Sequence, residues 1–339
     1  MNTKFQEDQR NKQLLLLYNR KPHADLFENA EYGGYWWDFG SWKHYPHILQ
    51  HKCSINNLFK PIRQDALDYF ERNNITWWRQ DEDRYFPSGH MLSSQIHCLN
   101  HLFAIRTDKD AVLAIIKALC PDVKDILPSP IDCHAGIIDG KPRHCISYIT
   151  FEFTCANQLL LNETGNRRGK KCTSVDAFVY AIDKKKRRIL IPIEWKYTEA
   201  YDKSPKRKAH KSSIERYVNL ANLDSSNLKE WISEYEWDPL YEFARQELLM
   251  EQIIRNSPEC GFGNKQKPLL ADDFIHIIVR PDENTEIVND IAAFRNTIVD
   301  SSKLIEIDPL QLLAPLKGSE QYSNLLDYLD RRYWTCKIS

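Results

Sequence analysis

The sequence of 339 residues has almost no charge imbalance, with 46 Lys and Arg against 47 Asp and Glu and a formal net charge of −1. That excludes a protein held on nucleic acid by global basicity, so any polyanion-binding surface must be local. A long apolar run is also missing. Leu14 to Leu17 is too brief for a signal-peptide core or a membrane span, so no membrane partner is expected. Nine cysteines, an odd number, are scattered from Cys53 to Cys336 without a CxxC pair. Free thiols and a cytoplasmic location follow as expectations. Cys133-His134 and His144-Cys145 frame a Gly-containing turn but lack spaced zinc-ligand geometry, so they read as a plain hairpin or loop. There is no Gly-rich phosphate loop, dinucleotide fingerprint, or serine or cysteine nucleophile motif.

What is present is an unusual hairpin, Ser174 to Glu199. Its apolar, β-branched and aromatic run carries Asp176, Glu194 and Lys196. A charge in such a run is costly to bury unless it is paired, metal-bound or open to a cleft. Glu194 and Lys196 are one residue apart, so in a strand they share a face while Trp195 points to the other. Carboxylates from two neighbouring strands can hold a hard divalent cation such as Mg²⁺, and a lysine beside it can orient a water nucleophile. A plain two-residue loop at Lys185-Lys186 would set Asp176 opposite Trp195 and destroy that grouping. The turn within Asp183 to Arg188 is therefore expected to have odd length, or the hairpin to contain a β-bulge, and Pro192 suggests a bulge or an edge strand.

Asp176 followed by Glu194-Trp195-Lys196 resembles the PD-(D/E)XK nuclease superfamily, in its bacterial restriction-endonuclease-like branch. Leu92-Ser-Ser-Gln95 and Phe243-Ala-Arg-Gln246, in flanking helical runs, add to the resemblance. Ser174-Val175 precedes Asp176, so the proline of the family name is absent. Many relatives also carry an acid on the first core helix, where this chain has Ser94, Gln95 and Asn100. The resemblance covers residues 90–280. It implies an α/β restriction-endonuclease-like core of helix, three strands, helix and strand, with a mixed sheet flanked by helices. It also implies hydrolysis of DNA phosphodiester bonds by a metal-activated water, with Mg²⁺ or Mn²⁺ held by Asp176, Glu194 and the Trp195 carbonyl, and Lys196 positioning the water.

Glu152, in the alternating strand Ile146 to Thr154, is a candidate for the missing acid. It is equally readable as a solvated or salt-bridged strand residue. Ser93 to Ile105 has helical apolar spacing with a serine ready to cap it, and Asp108 to Cys120 reads as a second helix. Pro239 to Asn256 is the clearest helix, with Tyr241, Arg245 and Gln246 turned toward a cleft and Gln246 a candidate site residue. Ser225 to Glu234 also reads as helical, and Phe274 to Arg280 as a buried strand. Arg167, Arg168 and Lys170 in one polar loop, and Lys206, Arg207 and Lys208 in another, are candidates for phosphate contacts, as are Ser94 and Gln95. Either loop is also readable as merely solvated.

Residues 1–89 are aromatic-rich and read as a loop-rich region packed on the core, with a short helix at Asp65 to Arg72. Base stacking is the alternative role for their rings. Residues 281–339 read as a helical embellishment. The expected partner is DNA, with a homodimer left open. Rival functions are a catalytically inactive module binding nucleic acid or protein, an RNA-directed nuclease, and a partly buried ion cluster in an interaction module.

Overall fold

The computed structural model describes residues 3–334 apart from 20–24, 29, 39–40, 79–85, 133, 139–140, 156–157, 164–167, 169–171, 202–210, 222–223, 225, 230–232, 257–260 and 263–266. The first elements are α1 (Lys4–Tyr18), the antiparallel ribbon β1 (Tyr32–Asp38) and β2 (Ser41–Leu49), and α2 (Arg63–Arg72). Next come α3 (Ser94–Leu102), α4 (Lys109–Leu119), β3 (Val123–Leu127), the hairpin β4 (His134–Ile138) and β5 (Lys141–Cys145), and β6 (Ile149–Phe153). The central hairpin is β7 (Val175–Asp183) and β8 (Arg188–Trp195), followed by α5 (Lys211–Ala221) and α6 (Leu240–Arg255). The chain continues through the short pair β9 (Gly261–Phe262) and β10 (Lys267–Pro268), then β11 (Asp273–Phe274), β12 (His276–Val279), α7 (Val288–Thr297) and β13 (Leu304–Ile307).

Seven strands form one mixed sheet in the order β13-β12-β8-β7-β3, with β11 beside β12 on the edge of β8 and β6 beside β3 on the edge of β7. β12 runs parallel to β8 and β13, whereas β3, β6 and β8 are antiparallel to β7. Alternation in β7 and β8 sends successive residues to two separate cores. Ala177, Val179, Ile191, Ile193 and Trp195 join Ile96, Leu99 and Phe103 on one face. Phe178 and Leu190 join Phe243, Leu248 and Met250 of α6, with Ile291 and Phe294 of α7, on the other. This is the expected α/β arrangement with a mixed sheet between helices.

The turn joining β7 to β8 fixes which residues meet. Ile182 pairs with Arg188, and the Asp183 N–H donates to the Arg187 carbonyl at 3.0 Å, leaving Lys184, Lys185 and Lys186 as a three-residue loop. Lys186 takes the left-handed conformation, φ 66°, that three-residue hairpins require at this position. The odd loop pairs Ala177 with Ile193, so the next rung brings Asp176 and Glu194 to the same face. Pro192 departs from the edge-strand expectation. It lies in an interior strand opposite Phe178, where β11 gives way to β12 and the parallel ladder is interrupted.

Several other segments differ from the sequence-based expectation. The N-terminal region contains α1 and the β1–β2 ribbon rather than mostly loops. In α1 the inward side chains include Lys12 and Gln13, whose partners are the Tyr333 and Arg332 carbonyls, so the helix has little apolar periodicity to show. Of the helix expected over Ser225 to Glu234, the described residues 226–229 are not helical. Ser226 and Asn227 hydrogen-bond instead to Glu251 and Glu247, Leu228 bridges Ile298, and only Ser233–Glu236 winds as a 3₁₀ turn. Residues 281–334 add an edge strand, β13, as well as helices.

Candidate active site

A cavity of about 530 Å³ opens at the end of the sheet where β6, β7 and β8 meet the N-terminal ends of α3 and α6. Ser93 caps α3, its hydroxyl accepting from the Ile96 N–H at 3.4 Å, and this sets Ser94 and Gln95 at the rim. From the opposite face, α6 presents Tyr241, Glu242, Arg245 and Gln246, residues whose three-to-four spacing places them on one helical stripe.

Asp176 accepts the Trp195 N–H on Oδ2 at 2.8 Å. Glu194 accepts from two sides, from Lys196 Nζ on Oε1 at 2.6 Å and from Gln246 Nε2 on Oε2 at 2.6 Å. Lys196 also pairs with Glu242 of α6. Glu152 stands on the neighbouring strand, accepting from Gln95 Nε2 at 2.6 Å and from the Ser174 hydroxyl at 3.1 Å. Its φ of 48° takes it out of the β6 ladder between the pairs Phe151–Ala177 and Phe153–Val175. The expected carboxylates thus line one cavity, Glu152 among them.

Their electrostatics are strained in one direction. Burial, with repulsion from Glu194 and Glu152, raises the Asp176 carboxyl well above its usual range. Burial and the nearby Glu242 push Glu194 up to about 8, against the opposing pull of Lys196. Burial also raises Glu152 despite its donors Gln95 and Ser174. Lys196 is the reverse case, because Glu194 and Glu242 outweigh its burial and hold the ammonium protonated. With these neighbours Lys196 is a fixed cation, suited to orienting and stabilising charge rather than to taking up a proton.

All candidate ligands are oxygens: the carboxylates of Glu152, Asp176 and Glu194, and the carbonyl of Trp195. That donor chemistry suits a hard divalent cation, and carboxyls raised by burial and by their acidic neighbours are the groups such a charge would relieve. The Gln246 Oε1 atom, buried and without a hydrogen-bond partner, is a further unused acceptor beside Glu194. Among the described residues no three acidic, histidine or cysteine side chains are grouped closely enough to form a metal cage as they stand. The hydrogen bonds from Lys196 and Gln246 to Glu194, and from Gln95 and Ser174 to Glu152, hold these carboxylates instead.

Residues 6–334 match the family described as Restriction Endonuclease associating with ARP, REase-ARP. The chain belongs to this family. Membership in a restriction-endonuclease family agrees with the mixed sheet flanked by helices. No curated protein and no solved structure matches it.

Not every candidate of this REase-ARP chain faces the cavity. Arg168, expected near a phosphate, turns inward: its Nε donates to the Glu152 carbonyl at 2.9 Å, and its other nitrogens reach Asp132, the Tyr69 hydroxyl and the Phe151 carbonyl. Its work is to hold the β6 backbone where Glu152 leaves the ladder. Ser94 and Gln95, expected to touch nucleic acid, line the cavity but are engaged with protein. Ser94 donates to Glu199 and accepts from the Tyr197 N–H, and Gln95 joins Glu152 to the Trp78 N–H. Arg167, Lys170, Lys206, Arg207 and Lys208 lie outside the described residues.

Sequence reasoning missed Glu242 and Glu199. Glu242 stands four residues before Gln246 on a helix already read as facing the cleft, and that spacing was the available signal. Glu199 lies just beyond the hairpin on no regular element, so no periodicity marked it. No helix among the described residues is long and apolar enough to cross a membrane.

Proposed function

We propose that this chain is a divalent-metal-dependent DNA endonuclease, with Asp176, Glu194 and Lys196 at its centre and Glu152 supplying the acid that α3 lacks. The observation that carries the reading is the acidic lining of the cavity. Six carboxyl groups, Glu152, Asp176, Glu194, Glu199, Asp238 and Glu242, face two cations, Lys196 and Arg245. A divalent cation entering the cavity would let the raised carboxyls of Asp176, Glu194 and Glu152 ionise as its ligands, and would offset the charge that a phosphodiester brings with it. Mg²⁺, for which Mn²⁺ can substitute, would be held by Asp176, Glu194, the Trp195 carbonyl and Glu152, supplying Lewis-acid stabilisation and an activated water.

The chain's own residues do the rest. The Trp195 N–H fixes one oxygen of Asp176, Gln246 orients Glu194, and Gln95 with Ser174 orients Glu152. Lys196 keeps its charge beside Glu194, where it can align a nucleophile and offset negative charge at phosphorus. Glu242 holds the lysine from the α6 side. The family's description also has its members associating with ARP, and we extend that association to this chain, to be checked by co-purification.

The deciding experiment is cleavage of plasmid, linear and single-stranded DNA, with RNA alongside, in Mg²⁺ or Mn²⁺, for the wild type and folded Asp176→Ala and Lys196→Ala variants. Metal-dependent cutting of DNA lost in both variants is the expected outcome. Cutting of RNA alone would reassign the substrate. No cutting by the wild type, with all three proteins binding DNA equally, would replace the enzyme by a binding module.

A further inference from the structure

We propose that Arg245 is the phosphate anchor of the cavity: its guanidinium takes a backbone phosphate next to the scissile one and draws the strand onto the carboxyl cluster. The inference rests on the nuclease reading and adds to it the residue that binds the substrate anion.

Two cations line the cavity, Lys196 and Arg245, and they are in opposite states. Lys196 is held 2.6 Å from Glu194 Oε1 and again by Glu242, so its charge is balanced inside the cluster. Arg245 has no such partner. Among the described residues the one carboxylate within ion-pair reach is Glu163, and there Nη1 stands 3.8 Å from Oε1, beyond a hydrogen bond. That oxygen already accepts from the Thr173 hydroxyl at 2.5 Å and the Tyr217 hydroxyl at 2.7 Å, and Oε2 accepts the Thr173 N–H at 2.7 Å. Glu163 is thus saturated by Thr173 and by Tyr217 of α5, and it acts on Arg245 only as a charge at a distance.

Packing rather than hydrogen bonding places the side chain. Its Cζ lies 4.5 Å from the centre of the Tyr241 ring, one turn back along α6. Its Nε is buried without a hydrogen-bond partner. Burial opposes the charge, but Tyr217, Tyr241, Glu242 and Glu163 outweigh it, so the group stays a cation. The side chain keeps 21% exposure, at the wall of the cavity. Apolar filling would serve this space better than a guanidinium with unpaired donors, since each polar hydrogen withheld from water and left unbonded is costly.

A cation in this state is matched by an anion from outside. The planar fork of a guanidinium fits two oxygens of one phosphate, and a nucleic-acid strand brings a phosphate at every nucleotide. Position decides which phosphate is held. Successive residues of a helix diverge by about 100°, so Gln246 and Arg245 reach different parts of the wall. Gln246 meets Glu194 at 2.6 Å, whereas Arg245 faces Glu163 and Tyr217. The scissile phosphate belongs, in the nuclease reading, at Asp176 and Glu194, and Arg245 therefore takes its neighbour.

The test is steady-state cleavage, in Mg²⁺ or Mn²⁺, of a DNA oligonucleotide that the wild type cuts, with Arg245→Gln and Arg245→Lys alongside. Arg245→Gln should raise KM by roughly ten- to a hundredfold with a much smaller change in kcat, and Arg245→Lys should recover part of the loss. A packing role would instead lower the melting temperature and leave KM unchanged. The deciding readout neutralises one phosphate at a time around the cut by methylphosphonate substitution. At one position beside the cut the wild type should lose a similar factor, and Arg245→Gln should lose nothing further there. Losses that multiply at every position, or an unchanged KM, would overturn the anchor and leave the nuclease standing. A wild type that cuts nothing would remove the nuclease reading, and the same series is then read as DNA binding in Ca²⁺ by fluorescence anisotropy. One non-additive position there would keep the anchor in a binding module, and additive losses or no binding would remove it.

Discussion

The two faces of the β7–β8 hairpin are built from alternate residues of the same strands, and they could hardly differ more. On one face Ile193 and Trp195 are fully buried, and the indole of Trp195 donates to His97 Nδ1 at 2.6 Å, so apolar packing and a satisfied donor coexist. On the other, Asp176, Glu194 and Lys196 are gathered with Glu152 and Glu242 around a cavity in which the three central carboxylates resist ionisation. The first face is organised for stability and the second at its expense. What separates them is strand parity, and the Lys184–Lys186 loop sets that parity.

The most severe way to break the contrast is therefore to delete one residue inside β7, Tyr180, and leave the loop intact. With Ile182 still paired with Arg188, Asp176 would move into the place of Ala177 opposite Ile193 and be driven to the apolar face. Loss of cooperative folding is expected, read as loss of the near-ultraviolet circular dichroism signal and of a thermal transition. A variant that folds normally and keeps activity would show that the loop does not set the register.

Point substitutions on the two faces should separate stability from activity. Trp195→Ala removes a fully buried indole and should cost about 3–5 kcal/mol in urea unfolding. Asp176→Asn should reduce DNA cleavage by roughly a thousandfold or more while leaving the melting temperature equal or higher, because a carboxyl already pushed upward by burial and by Glu194 loses its charge. Asp176→Asn destabilising the fold as much as Trp195→Ala would mean that the charged cluster is structural after all.

The smallest effect concerns pH. Burial lowers His47 to about 4 and His101 to about 3, and holds His97 well below its usual value, so all three are neutral in the fold. A histidine whose folded pKa is depressed contributes stability that is present above its unfolded value near 6.5. That stability is lost as pH falls toward the folded pKa, by up to about 1.4 kcal/mol per pH unit for each proton taken up on unfolding. The raised carboxyls of Asp176, Glu194 and Glu152 act in the opposite sense over the same range, so the effect is read as a difference: the unfolding free energy of the wild type in urea, taken relative to that of His47→Gln, should fall between pH 6.5 and pH 4. An unchanged slope would remove His47 from the account.

The hairpin, its register and the cleft-facing stripe of α6 were legible because each follows from alternation or helical spacing in one continuous segment. Lys186 was not legible as the left-handed turn residue, since neither glycine nor asparagine marks it, and only the requirement that Asp176 meet Glu194 exposed the odd loop. α1 and the Ser226–Asn227 segment were hidden for a common reason. Their inward groups are polar and are satisfied by partners distant in sequence, Tyr333 and Arg332 for α1 and Glu247 and Glu251 for the other, so local patterning carried no trace. Arg168 showed the same limit from the opposite side, as a basic residue in a polar loop whose partners, Asp132 and the β6 carbonyls, appear only in three dimensions.

Glu152 sits with a left-handed backbone, a conformation that glycine or asparagine would accept with far less strain and that costs other residues on the order of 1–3 kcal/mol. Anyone redesigning this protein for heat resistance would be drawn to replace it, since Glu152→Gly or Glu152→Asn relaxes the chain and removes a buried acid in one step. Such a variant would last longer in the tube and, with Glu152 in the role proposed for it, lose the acid that α3 does not supply, so a screen scored on melting temperature alone would select against activity.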